Sequence, residues 1–222
     1  MAAKRTTALR CIETEADIRK GIRSLRRKCA VIRLMHDHAG DPPLRRRPAG
    51  FEGLARIIVG QQLSVASAAA IWSRTAEAVK PFEPVRLLAV SETDLRAAGL
   101  SRPKIRTLLA AANRIVDTDL DLTRLDHLPE EEIHEVLTCI PGVGPWTSDI
   151  FQMFCLGRPD AFASGDLALQ VALQIAMDLE ARPTAKELAE FAERWRPWRG
   201  VAARLLWAYY AVAKMPKSGV PV

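Results

Sequence analysis

Apolar residues recur through most of this chain at intervals of three and four, the period of one helix face. Ile18, Ile22, Leu25, Cys29 and Ile32 form one such stripe, opened by Thr14 as a cap and ended before Gly40-Asp41-Pro42-Pro43. Phe51, Leu54, Ile57 and Ile58 start a second helix that stops at Gly60-Gln61-Gln62. Ser64 can cap a third through Ala68, Ala69 and Trp72, and Pro81 and Pro84 bracket the turn after it. Ser91 with Asp94 makes a capping box for a short helix ended by Gly99. Lys104 to Val116 is helical, Asp117 to Pro129 is a polar connection, and Ile133, Val136, Leu137 and Ile140 share the next stripe. Further helices are predicted after Thr147, after Ser164-Gly165-Asp166, from Lys186 to Trp195, and from Pro197-Trp198 towards Lys214. Alternating strand patterns are almost absent, so the pattern predicts an all-α fold of about ten short helices without internal repeats.

The stretch Leu137 to Ser148 breaks this rhythm in an informative way. Pro141-Gly142-Val143-Gly144-Pro145 cannot continue a helix, because proline removes donors and glycine favours open conformations. The result is helix, tight hairpin, helix. Two glycines let a phosphate approach the main chain, and the second helix offers its first N–H groups and positive dipole end. Gly142, Gly144 and Thr147 are therefore candidate phosphate contacts. Such a clamp holds a nucleic-acid backbone without reading its sequence. Gly-x-Gly alone also serves ordinary helix–turn–helix connections, and the hairpin gains meaning only from the rest of the chain.

Composition narrows the partner. At 222 residues and 49% hydrophobic content, the chain can bury a full core as one domain or two lobes. Residues 1–50 hold 13 Lys/Arg against 5 Asp/Glu, a net of +8, whereas the remainder sums to −2. That asymmetry fits a polyanion. Nucleic acid is preferred over membrane, because no basic amphipathic stretch combines with an apolar anchor, and no apolar run reaches the ~18 residues that span a bilayer. The N-terminus lacks a secretory apolar region, so the expected location is cytoplasmic, associated with the nucleoid of a bacterium. Cys11, Cys29, Cys139 and Cys155 match no zinc or iron–sulfur spacing and are expected as reduced thiols. His36-Asp37-His38 is the single His cluster, and it lacks a nearby third ligand.

Asp166 precedes Leu-Ala-Leu-Gln and reads first as an N-cap. The same placement suits a fixed anion that stabilises an oxocarbenium while an N-glycosidic bond breaks. Trp146 directly follows the hairpin and Trp207 lies in the last helix. Buried tryptophans usually pack, as expected for Trp72, Trp195 and Trp198, but two aromatic faces can also hold a flipped base. A cationic alkylated base adds a cation–π attraction. Gln61 and Gln62 read either as a capped loop or as a wedge entering the gap left by an everted nucleotide. No lysine occurs between Lys104 and Lys186, so an amine nucleophile near the hairpin has no candidate.

Together these residues resemble the helix–hairpin–helix DNA glycosylase superfamily, in its 3-methyladenine DNA glycosylase II branch. Four segments carry the resemblance, which spans about residues 14 to 212: Ile57–Ser64, Gly99–Lys104, Leu137–Ser148 with Asp166, and Trp195–Arg199 leading to Trp207. It implies two helical lobes with an active-site cleft between them. One lobe would combine residues 1–50 and 164–222, and the other would be residues 51–163. It further implies Asp166 as the catalytic carboxylate, Trp146, Trp207 and Ile150 lining the base pocket, and Gln62 with Gln61 at the intercalating position. Backbone carbonyls of Thr138, Ile140 and Val143 would hold Na+ or K+ when DNA is bound, with no other cofactor and no iron–sulfur cluster. Trp146 stands where bifunctional relatives carry Lys, which implies a monofunctional enzyme without lyase activity. The expected activity is hydrolysis of alkylated purines, 3-methyladenine above all, from duplex DNA by a monomer, the first step of base excision repair. Ile150 replaces a further pocket Tyr of some relatives, so the base range stays open. A glycosylase for another damaged or mismatched base, and a non-catalytic DNA-binding module, are the alternatives. For Arg45–Arg47, a phosphate contact and a solvated linker are equally open.

Overall fold

The computed structural model describes residues 11–118 and 120–214. Those residues form twelve α-helices and two short 3-10 helices, with no strand among them. The chain packs as two compact units, one built from the segments up to Arg45 and from Gly157 onward, the other from Arg46–Leu156. These boundaries lie ahead of residues 51 and 164, the ones that the resemblance implies, and a backbone bond lies beside each. Ile12 N–H donates to the Gly157 carbonyl (2.8 Å), and Arg47 N–H to the Phe154 carbonyl (2.9 Å).

The first unit contains α1 (Glu15–Lys28), α2 (Ala30–Ala39), α10 (Leu167–Met177), α11 (Ala185–Ala192) and α12 (Arg199–Ala213). The single N-terminal helix expected from the apolar stripe is two helices. Cys29 adopts extended angles (φ −137°, ψ 120°) between them. The Arg33 side chain donates to the Arg26 carbonyl at 2.7 Å, giving that carbonyl the partner that a continuous helix would have supplied. At the centre lies α12, with Val201, Ala202, Ala203, Leu205 and Leu206 buried. Gly21 of α1 permits close approach, because a Cβ there would stand 2.8 Å from Val201 Cγ2.

The second unit contains α3 (Phe51–Gly60), α4 (Val65–Ala78), α5 (Pro84–Ala89), α6 (Glu92–Ala97), α7 (Arg102–Thr118), α8 (Glu130–Thr138) and α9 (Pro145–Phe154). Most of α3 is buried, and it packs against α4, α7 and α9. Two segments expected as irregular are helical. Pro84, with φ suited to a first helical position, opens α5, and the polar connection contains a 3-10 helix, Leu122–His127, capped by Asp121. Behind α3, burial pushes the Cys155 thiol up to about 12 against the opposing effect of Arg47 and Arg46. Cys139 is exposed.

The His36-Asp37-His38 cluster is occupied by local bonds. Arg26 Nη1 donates to His36 Nδ1 (2.9 Å) and to Asp37 (2.5 Å). The opposite ring nitrogen of His36 lies 2.8 Å from Asp41, and His38 donates to the Leu34 carbonyl. Among the described residues no group of three or more His, Cys, Asp or Glu side chains could hold a metal ion.

Candidate active site

Asp166 is the N-cap of α10, as its position before an apolar helix suggests. Its Oδ1 accepts the N–H groups of Ala168 (2.9 Å) and Leu169 (3.2 Å), and the Trp207 indole N–H at 3.1 Å. The carboxylate is thus oriented by a helix terminus and by an aromatic ring from α12. Both Asp166 and Trp207 remain half-exposed. The chain ahead of Asp166 is fixed in turn. Asp166 N–H bonds the Ala163 carbonyl, and Gln170 Nε2 donates to the Ser164 carbonyl.

A clamp with no signal in the sequence pattern holds this loop onto the start of α12. Asp160 is buried and pairs with Arg196 and with Arg199 (3.0 Å), while Glu193 accepts from both arginines at 2.8 Å. Gly200 N–H meets the Pro159 carbonyl at 2.8 Å, and a Cβ at Gly200 would stand 2.9 Å from that oxygen. Trp195 is fully buried, with Phe162 and Phe191 against its edges, so packing is its role. The Trp-Arg-Pro-Trp-Arg segment is visible in sequence, but its acidic partner lies 36 residues earlier and nothing local points to it.

The hairpin lies in the second unit. Ile140 N–H bonds the Leu137 carbonyl, Val143 N–H the Ile140 carbonyl, and Ser148 N–H the Gly144 carbonyl. Gly142 has φ +86°, and a Cβ there would fall 2.0 Å from Thr107 Oγ1. Gly144, the N-cap of α9, has nothing within 4 Å of the corresponding position. One glycine is required by the fold, whereas the other leaves open space before a helix N-terminus. Trp146 follows, half-exposed, while Ile150 is buried at 4% exposure.

Thr147 is a candidate phosphate contact by sequence, but its side chain turns inward. It is 2% exposed, and its Oγ1 accepts from Gln61 Nε2 at 2.9 Å. Only its main chain can serve at the helix terminus. The two glutamines therefore differ: Gln61 ties its loop to α9, and Gln62 is exposed with φ +56°. Lys104, from the Gly99–Lys104 segment, donates to the Val59 carbonyl at 2.6 Å and closes the end of α3 just ahead of this loop. Burial pulls the Lys104 ammonium below its usual pKa. A Gln61→Leu and Thr147→Val double-mutant cycle in urea is expected to show coupling of about 1 kcal/mol. Strict additivity would mean that the bond does not hold the loop.

Of the arginine run, Arg45 and Arg46 are exposed, and Arg47 lies over the Phe154 ring, 5.8 Å from its centroid.

Comparison with known proteins shows the family to which a helical chain with this glycine hairpin and this capping Asp belongs. Residues 55–197 match the model of the HhH-GPD superfamily of base excision DNA repair proteins, and the chain belongs to that superfamily. It is 27% identical over 188 residues to the putative DNA-3-methyladenine glycosylase YfjP of Bacillus subtilis, covering 81% of this chain and 65% of that protein. The chain thus spans slightly less than two thirds of that relative's length. The Schizosaccharomyces pombe 3-methyladenine DNA glycosylase Mag1, solved with abasic DNA, aligns with a TM-score of 0.82 at 26% identity, over 89% of this chain and all of that one. A DNA-3-methyladenine glycosidase from Bacillus halodurans aligns at 0.73 and 31% identity, over 91% and 93% of the two chains.

Proposed function

We propose that this protein is a monofunctional DNA glycosylase that hydrolyses the N-glycosidic bond of alkylated purines, 3-methyladenine and related bases, in duplex DNA. The observation that carries the reading is Asp166 Oδ1, held by two α10 N–H groups and the Trp207 indole. Relatives named for the same activity support it.

In this mechanism the C1′–N bond breaks with its electron pair leaving on the base. A purine made cationic by alkylation departs neutral, so no dedicated general acid is needed. Positive charge appears on the sugar, where the Asp166 carboxylate stabilises it and orients the attacking water. Water adds to C1′ and gives up a proton, leaving an abasic sugar and free base. Trp146 stands in place of an amine nucleophile, and no lysine lies between Lys104 and Lys186. Half-exposed Trp207, beside Asp166, and half-exposed Trp146, behind the hairpin, are each aromatic faces of the kind that stacks on a flipped cationic base. Ile150 is a buried apolar residue one turn beyond Trp146.

Gly142, Gly144 and the main chain of Thr147 receive a DNA phosphate at the α9 N-terminus, where first-turn N–H groups have no intrahelical acceptor. Exposed Gln62 is the wedge, and Gln61 positions it. Thr138, Ile140 and Val143 lie around one tight turn, and their carbonyls would supply an oxygen-only donor set of the kind suited to Na+ or K+. An ion held there would supply positive charge towards a DNA phosphate, and bond cleavage does not depend on it. The protein acts as a monomer on nucleoid DNA in the cytoplasm.

A panel of duplexes carrying methylated, oxidised, deaminated or mismatched bases, assayed for released free base, tests the assignment. Release of methylated purines is expected. Release confined to another lesion would reassign the substrate, and binding without release would make the chain a DNA-binding module.

A further inference from the structure

The basic excess of the N-terminal segment has a defined place in the structure. Between Arg19 and Lys28, α1 carries six Lys/Arg side chains. Its buried face is Ile18, Gly21, Ile22 and Leu25. On the opposite face, Lys20, Arg23 and Arg27 fall at i, i+3 and i+7, one row along the helix. All three are exposed.

Both acidic residues of α1 have partners outside this row. Asp17 closes the capping box with Thr14, and Glu15 faces Arg19 at 3.6 Å. Arg26 is taken up by His36 and Asp37 of α2. Lys20, Arg23, Arg27 and Lys28 have no carboxylate partner among the described residues. The helix dipole accounts for cations in the last turn, Arg27 and Lys28, but its effect fades before Lys20 and Arg23. A solvated face would be expected to mix signs, and this row does not.

The row also lies off the face that bears the candidate chemistry. Gly21 of α1 packs on Val201 of α12, and Trp207 follows six residues later, which turns it about 120° around the helix. From Lys20 to Arg27 the row covers about 10 Å of helix. One DNA strand places about three phosphates along that length, at roughly 3.4 Å each.

We propose that α1 is a second DNA-binding ridge, in which Lys20, Arg23 and Arg27 hold the phosphate backbone of undamaged duplex apart from the Asp166–Trp207 site. The row contains no apolar residue to insert into a membrane, so the partner is nucleic acid. It would retain the protein on bulk DNA by counterion release, without reading sequence. The proposal rests on the reading that duplex DNA is the substrate.

The test is the salt dependence of binding to an undamaged duplex, for the wild type and for Lys20→Gln/Arg23→Gln/Arg27→Gln. Glutamine keeps the helix propensity of these exposed positions. The slope of log K against log salt is expected to fall in magnitude by about 2 to 3, because each phosphate neutralised by the row accounts for about 0.9 of it. Base release from a short damaged duplex at low salt should stay at the wild-type rate. A control with Lys20→Arg, Arg23→Lys and Arg27→Lys should retain the wild-type slope. An unchanged slope in the glutamine variant, with base release intact, would overturn the ridge while leaving the proposed function standing. Loss of binding to anionic vesicles with no change on DNA would also overturn it. A wild-type protein that bound no duplex would overturn both.

Discussion

Asp166→Asn is expected to slow release of an alkylated purine by about 10²- to 10³-fold, the range seen when one preorganised electrostatic group is removed. The substitution isolates charge from architecture. Asparagine caps helices as well as aspartate does. Its carbonyl oxygen can accept the same N–H groups of Ala168 and Leu169 and the Trp207 indole that Oδ1 accepts. Folding should therefore change little, while the charge proposed to stabilise the developing sugar cation disappears. Single-turnover release at saturating protein, with urea unfolding as a control, reads both effects. Asp166→Ala should also weaken the cap, at a cost of about 1 kcal/mol in stability. A full-rate Asn variant would remove Asp166 from the chemistry.

The two hairpin glycines should respond oppositely to alanine. Gly142→Ala forces a side chain into left-handed φ, costing about 1–2 kcal/mol. It also drives a Cβ to 2.0 Å from Oγ1 of Thr107, a buried residue whose hydroxyl is bonded to the Pro103 carbonyl. Overpacking of that kind adds about 1–3 kcal/mol. The sum is a large share of the roughly 5–15 kcal/mol that stabilises a typical domain. Thr107→Ala should restore part of it by removing the clashing oxygen. Gly144→Ala meets open space at an ordinary φ and should cost about 1 kcal/mol or less, the difference between Gly and Ala at a cap. Its methyl would stand where the proposed phosphate approaches, so duplex binding should weaken although the fold survives. Urea midpoints and duplex affinity, measured on both variants, separate the two roles. A Gly142→Ala protein as stable as wild type would refute the packing argument, and a Gly144→Ala protein with wild-type affinity would refute the phosphate contact.

Local rules carry far along this chain. Apolar stripes mark most helices, and the caps Thr14, Ser64, Ser91 and Asp166 all start helices in the structure. Proline and glycine locate the hairpin, because they act on the backbone of their own neighbourhood. The failures are also local. The stripe crosses Cys29 without a break, since a change of backbone direction there preserves the apolar period on both sides.

Tertiary structure decides which groups meet. Asp166 can be read as a cap from sequence, but its bond to Trp207 spans 41 residues, and Gln61 reaches Thr147 across 86. The resemblance implies Gln61 against DNA and the hairpin pattern suggests the same for Thr147, while packing turns their side chains towards each other. Lys104 meets Val59 across 45 residues in the same way. Periodicity fixes which face of a helix is buried, because that depends on residues three and four apart. The partner each polar group finds inside is set by how separate helices dock, and the short-range pattern of the chain does not encode that.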